Sequence, residues 1–400
     1  MTVDTTIVYN FQLNMMSKSV YIITGEPSGD ILASRLMKSL QKQEPDISFS
    51  GMGGETMAEL GFKSLFDISE ISVMGAAEVI PRLPLILKRL SQVVEDIKQK
   101  QPDVIVTIDS WGFVSQVLSR LKKQGVTIPR VNYVAPQVWA WKKGRAKKAA
   151  QLIDRLMTLL PYEPLYFEKY GLQCDFVGHP VIENILESEI SEITFRTKYE
   201  IPEESTLLCV LPGSRHSEIS KLAPIFCEVV KRLSLQFPNL FIVIPSVEAR
   251  VEEIKQVFAS LPAPYRIVTG QSERYNAFKI SKFALAASGT VSLELIACGT
   301  PHVIAYTFKY ITNKIIKRLA TTKYANLINI LADKFIIPEF VLENCRADLI
   351  TPKVIELMSD NEKSAAQVAE AHEYLKKLYP ENDILPSEKA ASVVLEMIKK

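Results

Sequence analysis

The sequence has few cysteines and histidines for its 400 residues, and they are widely separated. Its five cysteines include no Cys-x-x-Cys pair, and its four histidines include no His-Glu-x-x-His motif. An odd number of scattered cysteines is typical of a reducing compartment and argues against a disulfide framework. We therefore expect no metal site and no metal cofactor in this protein.

Long apolar segments and a strong net charge are also absent. No apolar run reaches the roughly 18 residues that a membrane-spanning helix requires. Residues 1–17 lack the basic start and the apolar stretch of a signal peptide, so we expect an N-terminal tail and a cytoplasmic location. The net charge of +2 gives no indication of a nucleic-acid partner.

Two nucleotide-binding motifs are missing. No Gly-x-Gly-x-x-Gly follows a predicted strand, which argues against a dehydrogenase. The chain also has no Asp-x-Asp, the carboxylate pair through which many transferases hold a metal-bound nucleotide. A transferase without that pair would stabilise its leaving group through helix N-termini and arginine side chains.

Short apolar segments alternate with helical segments along most of the chain, which predicts parallel sheets covered by helices on both faces. The pattern breaks in the charged stretch 182–206. We therefore predict two doubly wound, Rossmann-like α/β domains facing each other across a cleft, at 18–190 and 191–380, and a final amphipathic helix at 381–400. The predicted strands are 19–24, 47–54, 102–109, 130–136, 156–161, 174–178, 207–213, 240–246, 265–270, 283–289 and 302–308.

The first glycine loop, GEPSGD (25–30), lies between a predicted strand and a predicted helix. This order is common where a helix N-terminus binds phosphate. The loop has two acidic residues and no basic one, so its charge is poor for a nucleotide. Loops of the second domain are better suited to that role.

The segment LPGSRHSE (211–218) is a loop of the same kind that includes positive charge. Gly213 allows close backbone approach, the amides around Ser214 can point at an anion, and Arg215 adds a charged fork of donors. These features predict a pyrophosphate site. The alternative is a capped helix start with a solvent-facing arginine.

The segment ASGTVSLELIACGTP (287–301) is a third strand–loop–helix unit. Ser288, Gly289 and Thr290 form another helix start suited to an anion. Glu294 can accept hydrogen bonds from a ribose diol, and the spacing Glu-x4-Gly-x-Pro is typical of the donor domains of sugar-nucleotide transferases. The alternative is a solvated helical glutamate.

Asp109 ends the apolar strand 102–109. A carboxylate at the carboxyl end of a strand points into the predicted cleft and is partly desolvated, and such desolvation favours a general base. The alternative is an N-cap for the helix that follows.

Two segments, 78–90 and 132–149, combine apolar or aromatic residues with basic ones. The segment 132–149 fits contact with nucleic acid, an anionic lipid surface or a phosphorylated substrate, and the alternative is a basic solvated helix face. The segment 78–90 fits a position in a membrane interface, and the alternative is that it simply covers the sheet. The residues that we place on this acceptor or membrane side are Arg82, Lys88, Arg89, Trp139, Trp141, Lys142 and Arg145.

Residues 18–400 resemble the lipid-A-disaccharide synthase family. The resemblance is carried by an ordered set of motifs: GEPSGD, GMGG, VMGAAEVIPRLP, VIVTIDS, NYVAPQVWAW, FVGHP, LPGSR and ASGTVSLE. It implies a GT-B fold and an inverting glycosyltransferase of lipid A and lipopolysaccharide biosynthesis in Gram-negative bacteria. The implied donor is UDP-2,3-diacylglucosamine, the implied acceptor is 2,3-diacylglucosamine 1-phosphate, and the implied location is the cytoplasmic surface of the inner membrane.

The resemblance also implies roles on the acceptor side. Asp109 matches the family's motif aspartate and would take the proton of the acceptor 6-hydroxyl, with Glu26 as the second candidate. Ser28 and Gly29 would face the acceptor. This chain departs from the family at Gly112, where members often have a second acidic residue, and that difference concentrates the prediction on Asp109.

On the donor side, the resemblance implies that Arg215 and the two helix starts stabilise the departing UDP. Glu294 would bind the ribose. Asn329 matches an asparagine of the family's donor-side motif, although the proline that usually precedes it is missing here.

Other functions fit parts of the pattern. A UDP-N-acetylglucosamine 2-epimerase or another GT-B sugar-nucleotide enzyme would share the fold, and a non-catalytic membrane-associated binding protein could have kept it. The apolar, basic segment 78–90 favours a lipid substrate over a free sugar nucleotide. The final helix either packs back on the N-terminal domain or exchanges between the subunits of a homodimer.

Overall fold

The computed structural model describes residues 18–71, 76–138, 144–186, 190–307 and 323–398. Its strands are β1 (Ser19–Thr24), β2 (Ser48–Met52), β3 (Val104–Ile108), β4 (Arg130–Tyr133), β5 (Arg155–Thr158), β6 (Gln173–Phe176), β7 (Thr206–Leu211), β8 (Leu240–Ser246), β9 (Tyr265–Thr269), β10 (Phe283–Ala287), β11 (His302–Tyr306) and β12 (Glu339–Val341). Its α-helices are α1 (Pro27–Gln43), α2 (Glu55–Ala58), α3 (Ala76–Lys100), α4 (Trp111–Lys123), α5 (Gly144–Leu152), α6 (Pro164–Glu168), α7 (Val181–Leu186), α8 (Glu192–Lys198), α9 (His216–Ser234), α10 (Val251–Phe258), α11 (Gln271–Ile280), α12 (Val291–Ala297), α13 (Leu327–Ala332), α14 (Ala347–Ser359), α15 (Asn361–Leu375) and α16 (Pro386–Ile398).

The described strands form two parallel six-stranded sheets, with the orders β2-β1-β3-β4-β5-β6 and β12-β11-β10-β7-β8-β9. The chain divides into two compact units. The first runs to Pro180 and includes Tyr379–Lys400, and the second is Val181–Leu378. Each unit has the doubly wound α/β architecture that the sequence predicted.

Each sheet reverses its strand order at one place. In the first sheet the chain goes from β1 outward to β2 and then returns to β3 on the other side of β1. In the second it goes from β7 outward to β9 and returns to β10 beside β7. Ligands of open α/β sheets bind at the carboxyl ends of the strands at such a switch point. The loops there carry Glu26, Asp109, Arg215 and the segment 288–290.

The apolar runs form strands because both faces of each sheet are covered. All five residues of β3 are buried, as are five of the six residues of β1. Separate apolar clusters lie between the sheets and their helices in each unit. This burial on both faces is what a near-continuous apolar strand indicates.

The C-terminal helix α16 packs against α1 in the first unit. Val394 is fully buried in the same apolar cluster as Leu36 of α1. Arg155 of β5 is buried and donates to Glu396 of α16 at 2.7 Å. The end of the chain therefore contributes to the core of the first unit.

Candidate functional site

The loops that follow β1 and β3 lie side by side at the switch point of the first sheet. The two strands are paired up to their last residues. A Cβ atom added to Gly25 would lie only 2.9 Å from Ser110 Oγ, so the two loops are in close contact. The structure therefore places the predicted residues Glu26 and Asp109 on neighbouring loops.

Asp109 and Ser110 both have left-handed backbone conformations, with φ of 54° and 45°. Such conformations are unfavourable without glycine, and they are found disproportionately at functional sites. The Asp109 amide donates to the Tyr133 carbonyl of β4 at 3.1 Å, and Asp109 Oδ1 accepts from the Ser110 amide at 2.8 Å. The N-cap position of α4 belongs to Ser110. Asp109 therefore lies one residue before the N-cap position of α4.

Glu26 occupies the N-cap position of α1 and is partly exposed. Ser28 is exposed in the first turn of the helix, whereas Gly29 is buried. A Cβ atom on Gly29 would lie 2.3 Å from Thr24 Oγ1, so this glycine lets the helix approach β1. The loop therefore exposes Ser28 and part of Glu26 at the carboxyl edge of the sheet.

Asp30, the last residue of GEPSGD, has a role that sequence reasoning missed. It is 4% exposed, and its carboxylate accepts from the Gly54 amide at 2.7 Å and from the Thr56 amide and hydroxyl at 2.8 and 2.6 Å. It therefore fixes the GMGG turn after β2. The indication in the sequence was an acidic residue in the first turn of a helix, where it complements the helix dipole.

In the second unit, the loop after β7 folds around Glu218. Gly213 has φ of 112°, and a Cβ atom there would lie 2.5 Å from Glu218 Cβ. The amides of Ser214 and Arg215 donate to Glu218 Oε2 at 3.1 and 3.4 Å, and the Arg215 guanidinium lies 3.3 Å from Glu218 Oε1. The predicted anion-binding amides therefore already face a carboxylate of the chain, in a capping-box arrangement at the start of α9.

The segment 288–290 follows β10, which pairs with β7. Ser288 Oγ donates to the Ala325 carbonyl at 3.2 Å, while Gly289 and Thr290 are exposed. The helix α12 that starts here has seven residues. The structure thus brings the two predicted donor-side loops to neighbouring strand ends.

Glu294 is buried, with an exposed fraction of 6%. Its Oε1 accepts from the Tyr275 hydroxyl at 2.8 Å and forms an ion pair with Arg274. The Arg274 guanidinium lies 5.6 Å from the centre of the Phe278 ring. Glu294 is therefore not a solvated helical glutamate, because α11 holds its carboxylate in a fixed position.

Asn329 is fully buried, and its side chain makes four hydrogen bonds. Its Nδ2 donates to the Ile337 carbonyl at 2.7 Å and to Glu339 at 2.8 Å. Its Oδ1 accepts from the Ile336 and Ile337 amides, both at 2.9 Å. These bonds use the ordinary capacity of a carboxamide. A contact between the Asn329 side chain and a donor substrate would have to replace one of these hydrogen bonds.

A buried network of polar side chains connects α12 to β11 and to the N-cap residue of α13. Ser292 Oγ and His302 Nε2 are 2.6 Å apart, and Asn326 Nδ2 donates to Ser292 Oγ at 2.6 Å. His302 is fully buried, and burial lowers its pKa to about 4. The imidazole is therefore neutral in the folded protein at pH 7.

This histidine predicts a loss of stability in acid. The folded state keeps the His302 imidazole neutral, whereas the unfolded chain takes up a proton near the ordinary pKa of 6.5. Falling pH therefore favours unfolding from about pH 6.5 down to about pH 4, by about 2 kcal/mol between pH 7 and pH 5 for this group. Urea unfolding of wild type and His302→Gln at both pH values should show a smaller acid loss in the variant.

The control for that measurement is Thr351→Val in the same unit, which removes a buried hydroxyl that does not titrate. Its acid loss should equal that of the wild type. An acid loss in His302→Gln as large as that of the wild type would contradict the prediction.

Helix α3 carries the basic, apolar segment around residue 85. Leu83 and Leu87, one turn apart, are 46% and 44% exposed, and Arg82 and Lys88 are exposed beside them. Arg89 is placed differently, because its guanidinium donates twice to Glu70 at 2.7 Å. Arg89 therefore attaches the helix to the turn that precedes it. Within the described ranges, no helix is long and apolar enough to cross a membrane.

The second basic segment is described only in part. Trp139, Trp141 and Lys142 lie outside the described residues. Arg145 lies in the first turn of α5 and is partly exposed. In the part of the chain that the structure describes, no group of three or more His, Cys, Asp or Glu side chains could hold a metal ion.

Comparison of sequences gives a consistent set of relatives. The model of the lipid-A-disaccharide synthetase family matches residues 20–394. The lipid-A-disaccharide synthase of Paramagnetospirillum magneticum is 44% identical over 384 residues, which are 95% of this chain and 98% of that protein. The enzyme of the same name from Rickettsia typhi is 40% identical over 378 residues, with coverages of 94% and 98%.

Comparison of structures concerns the fold alone. The UDP-GlcNAc 2-epimerase of Neisseria meningitidis, solved with UDP-GlcNAc, has a TM-score of 0.66 at 12% identity and covers 96% of this chain and 100% of its own. MurG of Acinetobacter baumannii has a TM-score of 0.56 at 14% identity, with coverages of 95% and 99%. At such identities, the likeness indicates a shared two-domain GT-B architecture and carries no information about substrate.

Proposed function

The chain belongs to the lipid-A-disaccharide synthase family and is a GT-B glycosyltransferase, and we propose that it joins two acylated glucosamine units. The donor is UDP-2,3-diacylglucosamine, and the acceptor is 2,3-diacylglucosamine 1-phosphate. The acceptor 6-hydroxyl attacks C1 of the donor, the C1–O bond to UDP breaks, and the products are the β-1,6-linked disaccharide 1-phosphate and UDP. The observation that carries the proposal is the family match across nearly the whole chain.

On the acceptor side, we assign the proton transfer to Asp109. It lies at the switch point of the first sheet in a strained conformation, and its neighbour Glu26 is the second candidate. The base takes the proton of the 6-hydroxyl as its oxygen bonds to C1 from the face opposite the departing UDP, and this single displacement inverts the anomeric carbon. The exposed Ser28 lies on the adjacent loop and is suited to contact the acceptor.

On the donor side, we assign UDP to the loops after β7 and β10. The Gly213–Arg215 loop supplies amides at the start of a 19-residue helix, and Arg215 supplies a positive charge. The carboxylate of Glu294, held by Arg274, is suited to bind the ribose diol. The buried position of Asn329 supports a structural part in this region.

Because both proposed substrates carry acyl chains, we expect the enzyme to act at a membrane surface. The exposed Leu83 and Leu87 of α3, flanked by Arg82 and Lys88, support contact with lipid or acyl chains. We therefore propose peripheral association with the cytoplasmic face of the inner membrane. We also keep a homodimer as a proposal, to be measured by light scattering of the purified protein.

A transfer assay tests the proposed function. The purified protein is incubated with both acylated substrates, and mass spectrometry should detect the disaccharide 1-phosphate together with one UDP per product. Either substrate alone should give no product. Incubation with UDP-N-acetylglucosamine alone tests the epimerase alternative, and formation of the C2 epimer without acceptor would contradict our proposal.

The structure also predicts that Glu218→Gln tightens UDP binding. Glu218 places a negative charge on the amides that we assign to the UDP phosphates. Glutamine keeps an acceptor for these amides but removes the charge, so UDP affinity should rise about five-fold at low salt. Calorimetric titration with UDP measures this change.

Glu228→Gln, on the exposed side of the same helix, is the control and should bind UDP like the wild type. Weaker binding by Glu218→Gln would show that the carboxylate supports the loop and does not compete.

A further inference from the structure

Three non-glycine residues have left-handed backbone conformations at the ends of β3 and β4. Besides Asp109 and Ser110, Val134 in the next loop has φ of 77°. This conformation is rare for a β-branched residue, because its side chain crowds the backbone. Such strain persists only where the surrounding structure enforces it.

Hydrogen bonds hold Val134 from both sides. Its amide donates to the Met157 carbonyl at 3.1 Å, and its carbonyl accepts from Asn132 Nδ2 at 2.8 Å. Asn132 is 1% exposed, and its Oδ1 accepts from Thr107 Oγ1 at 2.8 Å. Thr107 lies on β3, two residues before Asp109. A buried chain of hydrogen bonds therefore connects β3 to the strained turn.

The same turn fixes the backbone of Asp109. The Asp109 amide donates to the carbonyl of Tyr133, which lies between Asn132 and Val134. Relaxation of φ at Val134 would rotate the peptide group that carries this carbonyl. The hydrogen bond to Asp109 would then lengthen or break, and the Asp109 carboxylate would shift.

We propose that Asn132 and Thr107 are positioning residues for the base, because they keep the Val134 turn strained and thereby hold Asp109 in place. This inference rests on the proposed role of Asp109. A pair with a purely structural role would affect stability but not the chemical step of the folded enzyme. Positioning affects the chemical step, since a displacement of about 1 Å can lower a rate about a hundred-fold.

Val134→Gly separates the two roles. Glycine adopts the same φ without strain but is not confined to it. We expect the thermal midpoint of this variant to stay within a few degrees of the wild-type value, because relief of the strain offsets the lost packing of the partly buried valine side chain. Its kcat should fall at least about ten-fold. The KM for the UDP-sugar and the Kd for UDP should stay within about two-fold of the wild-type values, because the donor loops are unchanged.

Asn132→Ala and Thr107→Val remove the hydrogen bonds themselves. We expect kcat to fall about ten- to a hundred-fold with donor KM unchanged. Thr107→Ser keeps the hydroxyl and should restore kcat. The matched control is Thr158→Val, which removes a buried hydroxyl of β5 that bonds the Asp175 carbonyl at 3.4 Å, and it should keep the wild-type kcat.

Wild-type kcat in both Val134→Gly and folded Asn132→Ala would overturn the proposal. A loss of UDP affinity in these variants as large as their loss of kcat would also overturn it. If Asn132→Ala does not fold, Val134→Gly decides the question. Asp109→Asn is measured beside them. Loss of turnover in Asp109→Asn without loss in the other variants refutes only the positioning role, whereas unchanged turnover in Asp109→Asn refutes the base assignment.

Discussion

Replacing Asp109 by asparagine is expected to lower kcat for disaccharide formation about a thousand-fold, a typical contribution of a general base. Asparagine has the same shape and can still accept the Ser110 amide through its oxygen, so the strained loop should persist. It cannot take the proton of the attacking hydroxyl. UDP affinity should therefore be unchanged, which calorimetric titration measures beside a steady-state assay with both acylated substrates.

The opposite end of the same strand supplies the control. Asp103 precedes β3 and accepts from the Ser19 amide and hydroxyl at 2.7 and 2.8 Å, so Asp103→Asn should retain full turnover. Glu26→Gln tests the second candidate base. A larger loss in Glu26→Gln than in Asp109→Asn would transfer the assignment to Glu26, and an unaltered rate in Asp109→Asn would remove Asp109 as the base.

The strands were the most predictable feature of this chain. Each of the predicted strands is present in the structure. They were recognisable because a strand that is buried on both faces of a sheet forms a near-continuous apolar run in the sequence. The strand β12 was missed. It has three residues, all half-buried, and it lies at the edge of its sheet. So short a segment has no periodicity from which a strand could be recognised.

The loops that carry the candidate site were predictable from the sequence. The hydrogen-bond and ion-pair partners of its charged side chains were less predictable. The loops followed from topology, since parallel strands place their carboxyl ends at one edge of a sheet. The partners of charged side chains depend on tertiary approach. Asp30 holds Thr56, 26 residues away, and Arg89 bonds Glu70. Neither pairing has a sequence spacing that would reveal it.

Replacing Arg215 is expected to cause the second large loss of kcat. As the C1–O bond breaks, negative charge accumulates on the departing UDP, and a guanidinium that contacts it stabilises the transition state more than the ground state. The Arg215 side chain is about half exposed, and its guanidinium lies 3.3 Å from Glu218 in an exposed ion pair, so it can turn towards a diphosphate at little cost. We expect Arg215→Gln to lower kcat about a hundred-fold and Arg215→Lys to recover part of that loss.

The measurement has a control on the same helix. Arg232 forms an exposed pair with Glu228 at 2.9 Å, near the end of α9 opposite to the loop, so Arg232→Gln should keep the wild-type kcat. The division between binding and chemistry identifies the role. A rise in donor KM with unchanged kcat would mean that Arg215 binds donor and transition state equally. Unchanged kcat and KM would remove Arg215 from the donor site and leave the charge of the departing UDP to the backbone amides alone.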